Sequence, residues 1–169
     1  MDRPKFYCGV DIGLKGGLAF VSVNSDILSV YKMPVTSYSG KNVLDLCEIA
    51  RIVKQFDIEL AAVERVGAMP GQGVVSMFSF GQSYGAVLGI LAALAVPVEL
   101  VPPKTWQAAI LQGFSADLKK KRAVAWAKSR FPDWHKPTDG EADAVAIAKY
   151  AQLLGGKVES CTNARLPMS

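Results

Sequence analysis

The chain has 169 residues, half of them apolar and a fifth charged, enough to bury one core without disulfides or a structural metal. Cys8, Cys47 and Cys161 are odd in number, far apart and without metal-ligand spacing, which excludes a disulfide framework and points to free thiols in a reducing cytoplasm. Nineteen basic residues against fifteen acidic give a net charge of +4, a modest excess that favours a polyanionic partner without demanding one.

Phe6, Cys8 and Val10 alternate with Tyr7 and Gly9, the pattern of a buried strand, and place Asp11 where that strand leaves the core. No long apolar region follows the first five residues, so no signal peptide is expected. Residues 18–23 and 27–33 read as two further strands joined by Asn24-Ser25-Asp26, an antiparallel meander. The polar, glycine-containing segment 34–42 reads as a loop. Leu46, Ile49, Ala50, Val53 and Phe56 then recur at helical spacing, predicting an amphipathic helix over 43–56. A strand over 58–66 follows, with Glu64 near its end. Strand, helix and strand in that order imply a right-handed crossover to a parallel neighbour, so Asp11 and Glu64 meet at one sheet edge.

Three glycines and a proline in 67–73 make a mobile loop. The pattern over 74–95 is helical, and Gly81, Gly85 and Gly89 line one face of it. That face suits close approach by another backbone, either a second subunit or the helix's own sheet. No charge occurs between Arg65 and Glu99, but Pro70, Gln72, Ser79, Gln82 and Pro97 interrupt the run, which argues against a membrane span. Residues 96–101 form the last strand, stopped by Pro102-Pro103, and Lys104-Thr105-Trp106-Gln107 opens a short helix. Ser115 caps a predicted helix over 116–131 that carries Lys119, Lys120, Lys121, Arg122, Lys128 and Arg130. Its cations either face water or track phosphates. The final helix, 138–154, is slimmed by Ala142, Ala144, Ala146 and Ala148 and can lie close on the sheet. Beyond Gly155 the chain turns polar, and 159–169 is expected to be a flexible tail.

The acids at the head of that last helix matter most. Asp139 and Asp143 share a face; Glu141 lies nearly opposite and, with Thr138, fits a capping box. Asp143 lies past the first turn and has no such explanation. Asp11, Glu64, Asp139 and Asp143 can therefore gather where two strand ends meet one helix. A carboxylate cluster suits Mg²⁺, and two such ions about 4 Å apart support phosphodiester hydrolysis. Asp11 as a mere cap of the turn at Gly13 is the plainer alternative. With His135 the single histidine, a His-based nuclease is disfavoured, and neither a Walker loop nor a Gly-x-Ser-x-Gly elbow occurs.

Taken together, Gly-Val-Asp11-x-Gly, Val63-Glu64, Val101-Pro102-x-x-x-Trp106 and Ala142-Asp143-Ala144 occur in an order that resembles the RuvC-type Holliday junction resolvases of the ribonuclease H-like superfamily. The likeness spans 6–150, and 70–81 and 139–148 look most like the phage-type and plant-organelle members. The resemblance implies an α/β fold, a five-stranded mixed sheet with three antiparallel and two parallel strands flanked by helices, within a single nuclease domain over 1–158. It also implies a cytoplasmic homodimer, with no membrane association, that nicks four-way and other branched DNA in symmetric pairs. Mg²⁺ would serve it, two ions per site, with Mn²⁺ as a substitute. On this reading Asp11, Glu64, Asp139 and Asp143 are the catalytic metal ligands, with Glu141 the lesser option for the fourth. Lys15, Lys104, Lys119, Lys120, Lys121 and Arg122 contact DNA, and Gly81, Gly85 and Gly89 form the dimer contact.

Two departures from the family stand out. Bacterial members carry an acid or histidine three residues before the last aspartate, where this chain has Gly140. They also place an aromatic wedge in the loop after the glutamate; this loop offers Met69, with Phe78 and Phe80 only later. Three alternatives compete. A nuclease of the same fold acting on flaps, forks or RNA–DNA hybrids is one, and a junction-binding protein that does not cleave is another. The third, a sugar-kinase or actin-like ATPase, needs two such domains, and the chain has length for one.

Overall fold

Alternation along the first strand sorts the molecule into three layers. The computed structural model describes residues 4–24, 28–67, 71, 73–134 and 136–162, with backbone alone at 119–120 and 157–162. In chain order its elements are β1 (Lys5–Asp11), β2 (Gly17–Ser22), β3 (Leu28–Lys32), β4 (Val35–Tyr38), β5 (Lys41–Leu44), α1 (Leu46–Val53), β6 (Asp57–Glu64), α2 (Val74–Ala93), β7 (Val98–Val101), α3 (Pro103–Ile110), α4 (Arg122–Arg130) and α5 (Asp139–Thr162). A 3₁₀ turn, Ala116–Lys121, precedes α4.

The main sheet has the order β3-β2-β1-β6-β7, with β1, β2 and β3 antiparallel and β6 and β7 parallel to β1. This is the expected mixed sheet. Phe6, Cys8, Val10, Leu18, Phe20, Ala61 and Val63 pack on α1 and α2. Tyr7, Ala19, Val21 and Ala62 pack on the other side against α3, α4 and α5. Ala144 through Ala148 are all fully buried, because α5 is enclosed between the sheet and α3 with α4. Each large apolar side chain in such a place, Ile147 for example, contributes about 1.5–3 kcal/mol.

Contact this close requires small residues. A Cβ at Gly9 would overlap the backbone of Ala144 and Ala148, and one at Gly155 would overlap the ring of Tyr7. Gly155 is therefore a seat for the helix, not its end, and α5 runs on to Thr162 where the sequence pattern predicted a stop at 154. Residues 159–162 of the expected tail are thus helical; 163–169 lie outside the described residues.

Three other expectations are corrected. The segment read as a loop over 34–42 forms the β4–β5 hairpin, a separate two-stranded sheet. Pairing of Thr36 with Val43 and Val35 with Leu44 draws Val43 and Leu44 out of the helix predicted to start at 43. α1 begins at Leu46 because the Asp45 side chain accepts from the Glu48 N–H (3.0 Å). Finally, 116–131 is not one helix. Ser115 Oγ accepts from the Asp117 N–H at the 3₁₀ turn, and the α-helix starts only at Arg122.

Helix α2 is held by Val87 and Leu91, which are buried against the sheet. Gly81, Gly85 and Gly89 are exposed and have open space where a side chain would stand, so the glycine face does not lie on the helix's own sheet. Val74 and Phe78 share that outward side and are 83% and 66% exposed. By length and hydropathy alone α2 is also able to cross a membrane. Among the cysteines, Cys8 is buried and Cys47 exposed, both as free thiols; the Cys161 side chain lies outside the described set.

Candidate active site

Parallel pairing of β1 with β6 sets Val10 opposite Val63, so the next residue on each strand, Asp11 and Glu64, leaves the sheet at the same edge. The N-terminus of α5 is clamped over that edge. A Cβ at Gly140 would overlap the Lys15 carbonyl and the Gly16 backbone, and one at Gly17 would press on Gly140 and Glu141. This contact explains why a residue with a side chain is absent three positions before Asp143. It brings Asp139 and Asp143 to the strand ends, and Asp11, Asp139 and Asp143 line one open cleft of about 900 Å³.

Glu64 approaches from the β6 side. The indole Nε1 of Trp106, a side chain only 1% exposed, donates to its Oε1 at 3.0 Å. The sequence marked Trp106 only as a motif residue; its duty is to hold the carboxylate of Glu64 in one orientation. Lys104 is exposed two residues before it, at the start of α3.

The electrostatics of the group are those of acids short of cations. Burial first, then the charge of Glu64, pushes the Asp11 carboxyl up to about 6. Asp143 rises to about 7, by burial and then by Asp11, Glu64 and Asp139. Burial also raises Glu64, while the Trp106 bond opposes that rise. Among the described residues neither Asp11 nor Asp143 has an ion-pair partner; the salt bridges there are Lys5–Glu59 and Arg51–Glu48, both distant and exposed. Nor do three of these side chains already stand close enough to form a metal-holding group. The donor set nevertheless fits a hard divalent cation: all-oxygen, multiply negative, half-buried and open on one side.

Glu141 does something else. Its carboxylate accepts from the Thr138 N–H (2.9 Å) and hydroxyl (2.7 Å), and its own N–H donates to Thr138 Oγ1 (3.3 Å). This is the capping box, and it directs Glu141 to the helix end and away from Asp143.

The cations expected to meet DNA are distributed unevenly. Lys15 lines the acidic cleft, and so does Lys32, which sequence reasoning missed although the register sets it opposite Gly17. Arg122 Nε and Nη2 donate to the carbonyls of Phe114 and Leu111, 2.8 Å each, so this residue braces the end of α3. Lys121 is exposed; the side chains of Lys119 and Lys120 lie outside the described set, as do Met69 and His135.

No family model matches the chain. A crossover junction endodeoxyribonuclease RuvC from Leifsonia xyli is 30% identical over 156 residues, 88% of this chain and 74% of that protein. Two solved structures share the fold: Thermus thermophilus RuvC in complex with a Holliday junction substrate (TM-score 0.64, 19% identity, 89% of this chain and 94% of that one) and T. thermophilus RuvC alone (TM-score 0.58, 20% identity, 88% and 95%). The yeast mitochondrial Holliday junction resolvase Ydc2 is more distant, at TM-score 0.51 and 14% identity over 92% of this chain and 82% of that one. With the sheet order, the edge that gathers Asp11 and Glu64, and a relative of this identity along most of its length, the chain belongs to the RuvC family of crossover junction endodeoxyribonucleases.

Proposed function

We propose that the protein is a structure-selective endonuclease that resolves four-way DNA junctions by paired, symmetric nicks. The observation that carries this reading is the convergence of Asp11, Glu64 and Asp143, from three distant parts of the chain, on one edge where burial raises all three carboxyls and the neighbouring acids add to the rise of Asp11 and Asp143. Structural acids have no need of such an arrangement. Asp11, Glu64, Asp139 and Asp143 would hold Mg²⁺, two ions per site, with Mn²⁺ as a substitute. Bound there, divalent cations supply a water nucleophile at neutral pH and offset charge on the leaving oxygen.

The protein's own side chains do the remaining work. Trp106 fixes Glu64, and the seat at Gly140 fixes Asp139 and Asp143 relative to β1. Lys15 and Lys32 in the cleft, and Lys104 at the start of α3, attract the phosphate backbone, aided by Lys119, Lys120 and Lys121. The exposed face of Gly81, Gly85 and Gly89 packs on a second copy, and the two-fold axis sets two active sites on matching strands of the junction.

The deciding experiment incubates the protein with a labelled mobile junction, a linear duplex, a flap and an RNA–DNA hybrid, with and without Mg²⁺. Symmetric nicks in the junction alone are expected. Preferred cutting of flap or hybrid would reassign the substrate, and binding without cleavage under Mg²⁺ and Mn²⁺ would end the enzymatic reading.

A further inference from the structure

The β4–β5 hairpin has a form that the active site does not explain. It is joined to the body at its base, where Leu44 is buried and the Asp45 N–H donates to the Pro34 carbonyl (3.0 Å), and all of β4 is exposed. Isolated two-stranded hairpins are marginal, yet this one has a tight turn, Ser39 and Gly40 with φ of 49° and 73°, the two-residue geometry that matches strand twist. Such a turn holds Tyr38 directly opposite Lys41, so the two side chains stand together on one face at the tip. Tyr38 is 74% exposed. A large aromatic ring placed in water beside a cation, on a projecting hairpin, is a contact in waiting.

Its location identifies the partner. Lys41 and Val43 line a groove of about 520 Å³ whose opposite wall is a flank of α2 that carries Ser76, Ser79 and Phe80, with Ser83 donating its hydroxyl to the Ser79 carbonyl (3.1 Å). Gly13 and Leu14 border this groove and also line the acidic cleft, so the two spaces adjoin. A lysine, the hydroxyls of Ser76 and Ser79 and an aromatic ring suit a single nucleic-acid strand: phosphates meet the first two and a base stacks on the third. An acidic peptide would account for Lys41 but would be repelled by the carboxylates of the adjoining cleft.

We infer that this groove carries one DNA strand out of the active-site cleft, with Lys41 on its phosphate and Tyr38 stacked on a base near the branch. The inference rests on the junction reading above and extends it to a named strand path. The glycine face of α2 points away from this groove, so strand and second subunit do not compete for it.

The test uses the full chain and a four-way junction carrying 2-aminopurine at successive positions beside the branch, in EDTA so that nothing is cut. Wild type should quench the probe at one or two positions; Tyr38→Ala should abolish that quenching and weaken binding at least about five-fold, while Tyr38→Phe restores both. Lys41→Ala should lower the slope of log K against log salt by about one. Sedimentation should give the same oligomeric state for every variant. Tyr38→Ala binding within two-fold of wild type with quenching intact overturns the inference. So does a variant that loses DNA only because it falls to monomers, since the hairpin would then hold the second copy. Wild type that prefers linear duplex to the junction would instead sink the resolvase reading, and this inference with it.

Discussion

Asp143 is the residue whose chemistry is most exposed to test. Folding moves its carboxyl from an ordinary 3.8 to about 7, so between those values the folded state binds more protons than the unfolded one. Stability tied to this group is therefore present below its unfolded pKa and lost as pH rises through about 7. Asp143→Asn removes the cost at neutral pH. We expect the metal-free variant to melt roughly 5 °C above wild type at pH 7.5, about 2 kcal/mol after allowance for screening in an open cleft. The gap should close near pH 4, and Mg²⁺ should narrow it at pH 7.5 by stabilising wild type alone. Equal melting curves at pH 7.5 would show that neither burial nor the neighbouring acids penalise the Asp143 carboxylate. The fourth acid separates just as cleanly. Asp139→Asn should lose cutting, because Asp139 lines the cleft with Asp11 and Asp143, while Glu141→Gln should cut normally and lose about 1 kcal/mol at most of helix capping. An inactive Glu141→Gln beside an active Asp139→Asn would reverse the assignment.

At the scale of elements, α2 has three sides with three fates. Val87 and Leu91 enter the core, Ser76, Ser79 and Ser83 line the groove, and Val74, Phe78 and the glycines face outward. If a second copy covers the third side, Phe78→Asp introduces a buried charge there and should convert dimer to monomer in sedimentation at micromolar concentration, with the fold intact by circular dichroism. The monomer should lose simultaneous nicking of paired strands before it loses nicking itself. An unchanged dimer would place the subunit contact elsewhere.

The same helix shows how much could be read in advance. The period-four glycines marked a face for close contact, and only coordinates could tell which neighbour it lacked. Strand alternation in β1 and the crossover to β6 were legible because burial imposes period and handedness. Asp11 and Glu64 followed from those rules, and Asp143 from its place past the capped first turn of the last helix. The hairpin was not legible, because β4 is exposed on both faces and carries no alternation. Trp106 and Arg122 were seen, but their duties depend on hydrogen bonds across 42 and up to 11 residues, which no local pattern encodes.

Across the whole molecule, a net charge of +4 surrounds a cleft of opposite sign. On the proposed reading DNA is drawn in by Lys15, Lys32, Lys104 and the lysines of 119–121, yet its scissile phosphate would have to approach three or four carboxylates. Without divalent cations that last approach is repulsive, so the acids should oppose binding as much as they serve cutting. Asp11→Asn is therefore expected to bind a four-way junction in EDTA at least as tightly as wild type, by about two- to five-fold on a Coulomb interaction of around 0.5–1 kcal/mol near the surface. The same variant should be inactive in Mg²⁺. Lys15→Ala should act in the opposite sense, weakening binding to any DNA and reducing the salt slope by about one, and replacing Lys119, Lys120 and Lys121 together by alanine should reduce it by two to three. Isotherms over a salt series separate these contributions, because a phosphate contact changes the slope. If Asp11→Asn weakened binding in EDTA, the acidic cleft would not lie on the path of the phosphate backbone, and the carboxylates would have to be supporting the fold of that edge instead of facing the substrate.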